Sequence, residues 1–326
     1  MSVPVLSVVL PVRNAAAFLD AAIASILAQD FTDFELIALD DASTDGSDAI
    51  LRRLAARDHR VRLDHSAVRL GAAGSSNRVV ELARAPLVAR MDADDVMLPG
   101  RLSAQIRLFE RAPGTVLTGG MAWTIDASGQ RVRAPDLARI IAQSRFAPFP
   151  HSTIMFRRSA WQQCGGYRSE AEKWEDIDFF LRMAQVGSVR TLAVPLVEYR
   201  QHLASTRFGE GLPALERAMD AMWQAATGAK PRRPARIAVG AYRHIGATWL
   251  WSQGRPALLG RLIRNADLGP NLDSLAMLGW ALAAQLAPSL LRSTLRARLA
   301  FANHRARRKL RGRTLIEWTP APIPLD

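Results

Sequence analysis

Two runs of carboxylates carry the chemistry this chain is able to do. Asp40-Asp41 and Asp92-Ala93-Asp94-Asp95 each follow directly on a short apolar run. Carboxylates crowded at the end of a strand repel one another unless a cation or hydrogen-bond donors offset the charge. A hard divalent ion held by one or two carboxylates and the oxygens of a diphosphate is the usual resolution. A lone pair such as Asp40-Asp41 also suits a helix cap or an Asx turn, whereas three acids in four residues exceed what capping needs. A third cluster, Glu175-Asp176 with Asp178, follows Gly165-Gly166-Tyr167 and opens a helical pattern. Acids there either complement a helix N-terminus or supply a general base for a hydroxyl nucleophile; the residues alone leave both open. His202, in Tyr199-Arg200-Gln201-His202, is an imidazole metal ligand or a plain surface histidine.

The elements that must position these groups alternate in type. Val5–Leu10 is a continuous apolar run, as expected of a strand covered on both faces. Ala15–Ala28 has helical spacing, Phe34–Leu39 is a second strand, and a helix is expected from Ser43-Thr44-Asp45 to about Ala56. Val61–Leu63 is a short third strand, Ala72–Ala83 a helix, and Leu87–Met91 a fourth strand ending in acids. This alternation predicts an α/β fold on a mostly parallel sheet flanked by helices, with ligands at the carboxyl ends of the strands. From 115 to 200 the pattern is mixed, with strands at Val116–Trp123, Thr153–Phe156 and Val189–Val194 and a helix from Glu175. Beyond Arg200 the periodicity reads as helices only, at 212–227, 236–252, 256–265, 272–286 and 289–311.

Charge separates the same two regions. Of the 326 residues, 1–225 carry 26 Lys+Arg and 26 Asp+Glu, whereas 226–326 carry 17 and 4, so the whole net charge of +13 lies in the last hundred. With Lys230-Pro231-Arg232-Arg233-Pro234 as linker, the expected domains are 1–229, catalytic, and 230–326, helical and basic. The apolar stretch Leu272–Leu291 is interrupted by Asp273, Gln285 and Pro288, short of a membrane span. Arg292–Arg313 interleaves nine basic residues with Leu295, Leu299, Phe301 and Leu310, a pattern suited to an anionic membrane surface. One cysteine, Cys164, fits a reducing compartment. No basic n-region precedes the first apolar run, so the expected location is cytoplasmic, peripheral at the inner face of the membrane.

Taken in order, the clusters resemble the family-2 glycosyltransferases of the GT-A fold. The resemblance rests on Val9-Leu10-Pro11-Val12-Arg13-Asn14, on Phe34-Glu35-Leu36-Ile37 through Asp40-Asp41-Ala42-Ser43-Thr44-Asp45-Gly46-Ser47, and on Arg90-Met91-Asp92-Ala93-Asp94-Asp95 with Pro99, Arg101 and Gln105. His151-Ser152-Thr153, Gly165-Gly166-Tyr167-Arg168, Glu175-Asp176 and Tyr199-Arg200-Gln201-His202 complete it, covering about residues 4–205. The resemblance implies inverting transfer of a sugar from a nucleotide-diphosphate donor, UDP by preference, to a glycan or lipid-linked acceptor in cell-surface polysaccharide biosynthesis. It implies that Pro11, Arg13, Arg90, Asp41 and Asp92 bind the nucleotide and donor, and that Asp94, with His202, binds Mn²⁺ or Mg²⁺. Asp176 would be the general base, with Glu175, His151 and Tyr167 around the acceptor.

Two departures mark this chain. Many members have Ala-Arg-Asn before the third helix, where this chain reads Gly74-Ser75-Ser76-Asn77. The Gln-x-x-Arg-Trp motif of processive synthases is missing after Glu175-Asp176, which favours addition of a single sugar. Competing classes fare less well. A nucleotidyltransferase acting on sugar phosphates would carry a glycine-rich phosphate loop, where this chain has Pro11-Val12-Arg13-Asn14-Ala15. A nucleic-acid-binding protein would interleave aromatics with its basic tail, so no nucleic-acid partner is expected.

Overall fold

A computed structural model of the chain describes residues 3–133, 149–171 and 175–202, together with the backbone of 315–318. The first half alternates β1 (Leu6–Val12), α1 (Ala16–Leu27), β2 (Phe34–Asp41), α2 (Ser47–Ala55), β3 (Val61–Ser66), α3 (Gly71–Glu81) and β4 (Leu87–Arg90). The second contains β5 (Val96–Met97), α4 (Arg101–Arg111), β6 (Thr115–Ile125), β7 (Arg131–Arg133), β8 (Met155–Arg157), α5 (Arg158–Cys164), α6 (Glu175–Val186), β9 (Ser188–Arg200) and β10 (Leu315–Trp318). Among the described residues the ten strands join one sheet in the order β10-β9-β6-β8-β4-β1-β2-β3, with β5 on β9 and β7 on β6.

The sheet is parallel where the sequence alternates strand and helix: β1 pairs β2 and β4, and β2 pairs β3, all parallel. Beyond β4 it is mixed, because β8 inserts antiparallel between β4 and β6, and β9 then runs parallel to β6. The expectation of a mostly parallel sheet therefore describes the first half of the molecule, and the whole is a mixed sheet with flanking helices. The helix expected from Ser43 starts at Ser47, because the preceding residues are spent in a loop with Gly46 left-handed at φ 92°. The reading that strands end at Arg200 also changes: Leu315–Trp318 pairs antiparallel with Val189–Leu192. The helices expected between 212 and 311 lie outside the described residues. Among the described residues no helix is long and apolar enough to cross a membrane.

Alternation along the central strands splits the core into two layers. Val8 and Leu10, Leu36 and Ala38, and Ala89 pack on one face with Leu19, Ile23 and Ile26 of α1 and with Leu102, Ile106 and Phe109 of α4. Val9, Ile37, Leu39 and Val88 pack on the other with Val79 and Val80 of α3 and with Phe179, Phe180 and Met183 of α6. Both faces being covered, these strands are apolar on both sides except at Ser7, Glu35, Arg90 and the closing Asp40-Asp41, and each fully buried Leu or Ile contributes about 1.5–3 kcal/mol.

A buried carboxylate ties the opposite end of the sheet together. Glu35 accepts the Ser7 hydroxyl (2.7 Å) and the Arg84 amide (2.9 Å) on one oxygen, and Arg62 (2.6 Å) and Arg84 Nε (2.9 Å) on the other. Burial pushes the Glu35 carboxyl up, but the Arg84 amide, the Ser7 hydroxyl and the two guanidinium groups more than offset this and leave it below its ordinary value. A lowered native value means stability is gained above the unfolded carboxyl range and lost as pH falls through the native value. Glu35→Gln is expected to destabilise the fold by about 2–3 kcal/mol at neutral pH, the half-exposed arginines reducing what a fully buried pair would cost. The same variant should show a flatter loss of unfolding midpoint than the parent below about pH 4.5; thermal unfolding followed by circular dichroism against pH measures both.

Candidate active site

The carboxyl ends of β1, β2 and β4 bring three loops together. In the loop after β1, Arg13 Nη1 donates to the carbonyls of Asp41 (2.6 Å) and Ala42 (2.9 Å) at the end of β2. Asn14 and Ala42 both adopt left-handed backbone, with φ 49° and 53°, a conformation unusual for residues other than glycine. Side chains crossing between the loops hold it. Asn14 Oδ1 accepts the Thr44 amide (2.8 Å), the Ser43 hydroxyl accepts the Asn14 amide (3.0 Å), and Asp45 accepts the Ala16 amide (2.9 Å). Asp41, buried at the end of β2, accepts the amides of Leu70 (2.6 Å) and Gly71 (3.2 Å) at the start of α3. These two amides fix the Asp41 carboxylate at the N-terminus of α3.

The acidic run after β4 divides into three different roles. Asp92 pairs with Arg90 Nη1 at 2.7 Å. Asp95 is buried and accepts the Arg200 amide at 2.7 Å; burial first, then Asp94 and Asp92, push its carboxyl well up. Asp94 faces His202, with Oδ2 and Nε2 2.9 Å apart, while Arg200 Nε donates to the Asp94 carbonyl at 2.7 Å. Burial and the neighbouring Asp92 charge raise the Asp94 carboxyl, and His202 partly relieves this. A group that repels protonless Asp94 in this way is one that a cation would relieve. Phe18 of α1 supports the arrangement, its ring 4.9 Å from the His202 ring and 4.8 Å from the Arg200 guanidinium.

Beneath the run lies a fully buried cation, Arg101. Its guanidinium donates to the carbonyls of Arg90 (2.9 Å) and Ile154 (3.2 Å) and to Gln105 Oε1 (3.0 Å). Burial pulls its pKa down to about 9, against the pull of Asp95 and Asp92. Gln105 in turn donates to the Thr153 carbonyl at 2.9 Å. Arg101 and Gln105 thus support the strand end that carries Asp92, Asp94 and Asp95.

His151 and Tyr167 form a buried pair, Nε2 to hydroxyl 2.9 Å, with the Tyr167 ring stacked on Phe179 at 4.3 Å. Burial pushes the Tyr167 hydroxyl up, keeping it protonated. Asn77, at the position where the sequence departs from Ala-Arg-Asn only in the two residues before it, clamps this pair. It donates to the Tyr167 carbonyl (2.8 Å) and accepts the Tyr167 amide (2.7 Å). A side chain at Gly166, whose φ is 66°, would meet Asn77 Oδ1 at 2.7 Å. In the first turn of α6, Asp178 is buried and bonded to Arg182 Nε at 2.9 Å, whereas Asp176 accepts the amide of Ile177 at 2.8 Å. Of the three acids that the sequence leaves equivalent there, Asp178 is thereby a structural ion pair.

The mixed sheet with acids clustered at its strand ends fits the resemblance drawn from the sequence, and comparison with known proteins gives the family. A match to Glycosyl transferase family 2 spans residues 7–167. The chain is 34% identical over 189 residues to EpsE of Bacillus subtilis, covering 56% of this chain and 68% of that protein. In fold it is similar to the mannosyltransferase PcManGT of Pyrobaculum calidifontis, solved with GDP-Man and Mn²⁺, at TM-score 0.57 and 20% identity over 94% of this chain and 88% of that one. It is similar also to Staphylococcus aureus TarS 1–349 in complex with UDP-GlcNAc, at TM-score 0.58 and 16% identity over 92% and 88%. The chain belongs to glycosyl transferase family 2, and it is a glycosyltransferase.

Proposed function

We propose that this glycosyltransferase moves one sugar from a nucleotide-diphosphate donor, UDP-linked by preference, to a hydroxyl of a glycan or lipid-linked acceptor, with inversion at the anomeric carbon. The observation that carries the reading is the Asp94–His202 contact of 2.9 Å beside Asp92, at the carboxyl end of β4. Pro11, Arg13 and Asp41 would bound the nucleotide, and Arg90 with Asp92 the ribose or donor sugar. Asp94 and His202 would hold Mn²⁺ or Mg²⁺, their carboxylate and imidazole fitting a cation that takes its remaining ligands from the diphosphate. When bound, such an ion supplies Lewis-acid stabilisation of charge on the departing nucleoside diphosphate.

The protein's own residues do the rest. Asp176 accepts the proton of the acceptor hydroxyl as its oxygen attacks the anomeric carbon. The bond from that carbon to the diphosphate oxygen breaks on the opposite side, and the configuration inverts. Glu175, His151 and Tyr167 border the acceptor side, with Tyr167 held protonated and fixed by Asn77. The domains are read as 1–229, catalytic, and 230–326, a basic module that associates with an anionic membrane surface from the cytoplasmic side, in the service of surface-polysaccharide synthesis; its segment Leu315–Trp318 returns to the catalytic sheet as β10. No part of this reading calls on nucleic acid.

Calorimetric titration of UDP into the full chain, with and without Mn²⁺, tests the donor reading. Binding that needs the metal supports it. GDP or dTDP binding in place of UDP would move the donor base while keeping the metal site. Failure of all three nucleotides with folded protein would overturn the reading.

A further inference from the structure

We propose that Asp40, Asp48 and His65 form a cation site separate from Asp94 and His202, suited to a divalent transition ion that takes mixed nitrogen and oxygen ligands, such as Zn²⁺. The three residues come from three elements. Asp40 is the penultimate residue of β2, His65 its register partner on the edge strand β3, and Asp48 lies in the first turn of α2. One ligand atom from each lies within 4.8 Å of the others.

The distances suit an ion. His65 Nδ1 is 3.2 Å from Asp40 Oδ2 and 4.0 Å from Asp48 Oδ1. A tetrahedral ion with bonds of about 2.0–2.2 Å separates its ligand atoms by roughly 3.3–3.6 Å, so the two distances from His65 bracket the required spacing. With no diphosphate to add hard oxygens as one would at Asp94 and His202, a set that includes imidazole suits Zn²⁺ and its neighbours.

A second observation points the same way. Asp40 is buried at 1% exposure, yet its Oδ1 has no hydrogen-bond partner among the described residues. Its other oxygen accepts only the Ser43 amide, at 3.3 Å, besides facing His65. A carboxylate buried with one oxygen unpartnered and the other weakly bonded is costly, and a cation beside it offsets its charge. Asp48 is prepared as well, since Arg52 occupies its Oδ2 at 2.8 Å and leaves Oδ1 toward His65. His65 and Asp48 are both more than a third exposed, which gives an ion access and room for a water ligand.

An ion here would fasten the edge strand β3 to β2 and α2, one residue from Asp41. It would act as a clamp on the loop that the nucleotide reading uses, without contributing to the transfer itself. The experiment is titration of Zn²⁺ alone into the full chain carrying Asp94→Ala and His202→Ala, which removes the other candidate site, followed by calorimetry and thermal unfolding. The expected result is one site per chain of micromolar affinity and a raised unfolding midpoint. Adding His65→Gln, and separately Asp48→Asn, should each weaken binding at least tenfold and abolish the rise in midpoint, while His59→Ala changes neither. Because His65 and Asp48 are partly exposed, both variants should fold, and their midpoints without Zn²⁺ check this. Absence of binding at millimolar Zn²⁺, or binding indifferent to His65→Gln, would overturn the proposal. Neither result bears on whether UDP binds through Asp94.

Discussion

Asp94→Ala is expected to abolish metal-dependent nucleotide binding and to lower kcat/KM by about a thousandfold, roughly 4 kcal/mol of transition-state stabilisation. The size follows from what the side chain does alone. Asp92 is committed to Arg90, and Asp95 is buried on the Arg200 amide, so neither is placed to replace it. His202→Ala should cost less, about 10–100-fold in metal affinity, as removal of one partner beside a remaining carboxylate does. The two variants also separate function from folding. Because burial and Asp92 raise the Asp94 carboxyl in the folded state, the ionised form is disfavoured by folding. Stability from this group is therefore lost as pH rises from the unfolded carboxyl range through the raised value. Asp94→Asn should accordingly keep or raise the unfolding midpoint at neutral pH while destroying activity. A variant that binds UDP with Mn²⁺ as the parent does would remove Asp94 from the metal site.

The half of the fold that was legible in the sequence is the half whose strands are covered on both faces. Val5–Leu10, Phe34–Leu39 and Leu87–Met91 are apolar but for Ser7, Glu35 and Arg90, because α1 and α4 cover one side and α3 and α6 the other. The elements that escaped are too short to carry a period: β5 has two residues, β7 three and β10 four. In α4 the obstacle was different. Arg101 and Gln105 stand out through the resemblance alone; their burial follows from the carbonyls of Arg90, Ile154 and Thr153, which take donors there. Spacing also grouped acids that the structure separates. Asp178 belongs to Arg182, an i,i+4 neighbour on the same helix, whereas Asp95 belongs to the Arg200 backbone, which nothing local to its run reveals. The Asp40–His65 neighbourhood was hidden for a related reason. It is created by the parallel register of β2 on β3, a property of pairing between segments that neither segment displays alone.

Asp176→Asn is expected to reduce kcat by about 10²–10⁴-fold, the range for loss of a positioned general base, while leaving UDP and Mn²⁺ binding as in the parent. The pairing of those two results is what identifies the role. A residue that merely supported the donor pocket would weaken binding together with turnover, and a purely structural acid would lower the unfolding midpoint. The first turn of α6 supplies the internal control. Asp178, two residues on, holds Arg182, whose Nη1 donates to the Cys164 carbonyl at 2.6 Å, so Asp178→Asn should show up in stability first. Glu175→Gln distinguishes the remaining alternative, since the base is whichever of Glu175 and Asp176 abolishes turnover without altering donor affinity. Asp176 is favoured on the resemblance of Glu175-Asp176 to the family's motif, and it is buried whereas Glu175 is partly exposed. Retention of kcat in Asp176→Asn, measured as release of nucleoside diphosphate in the presence of acceptor, would reassign the base and leave the Asp94 site untouched.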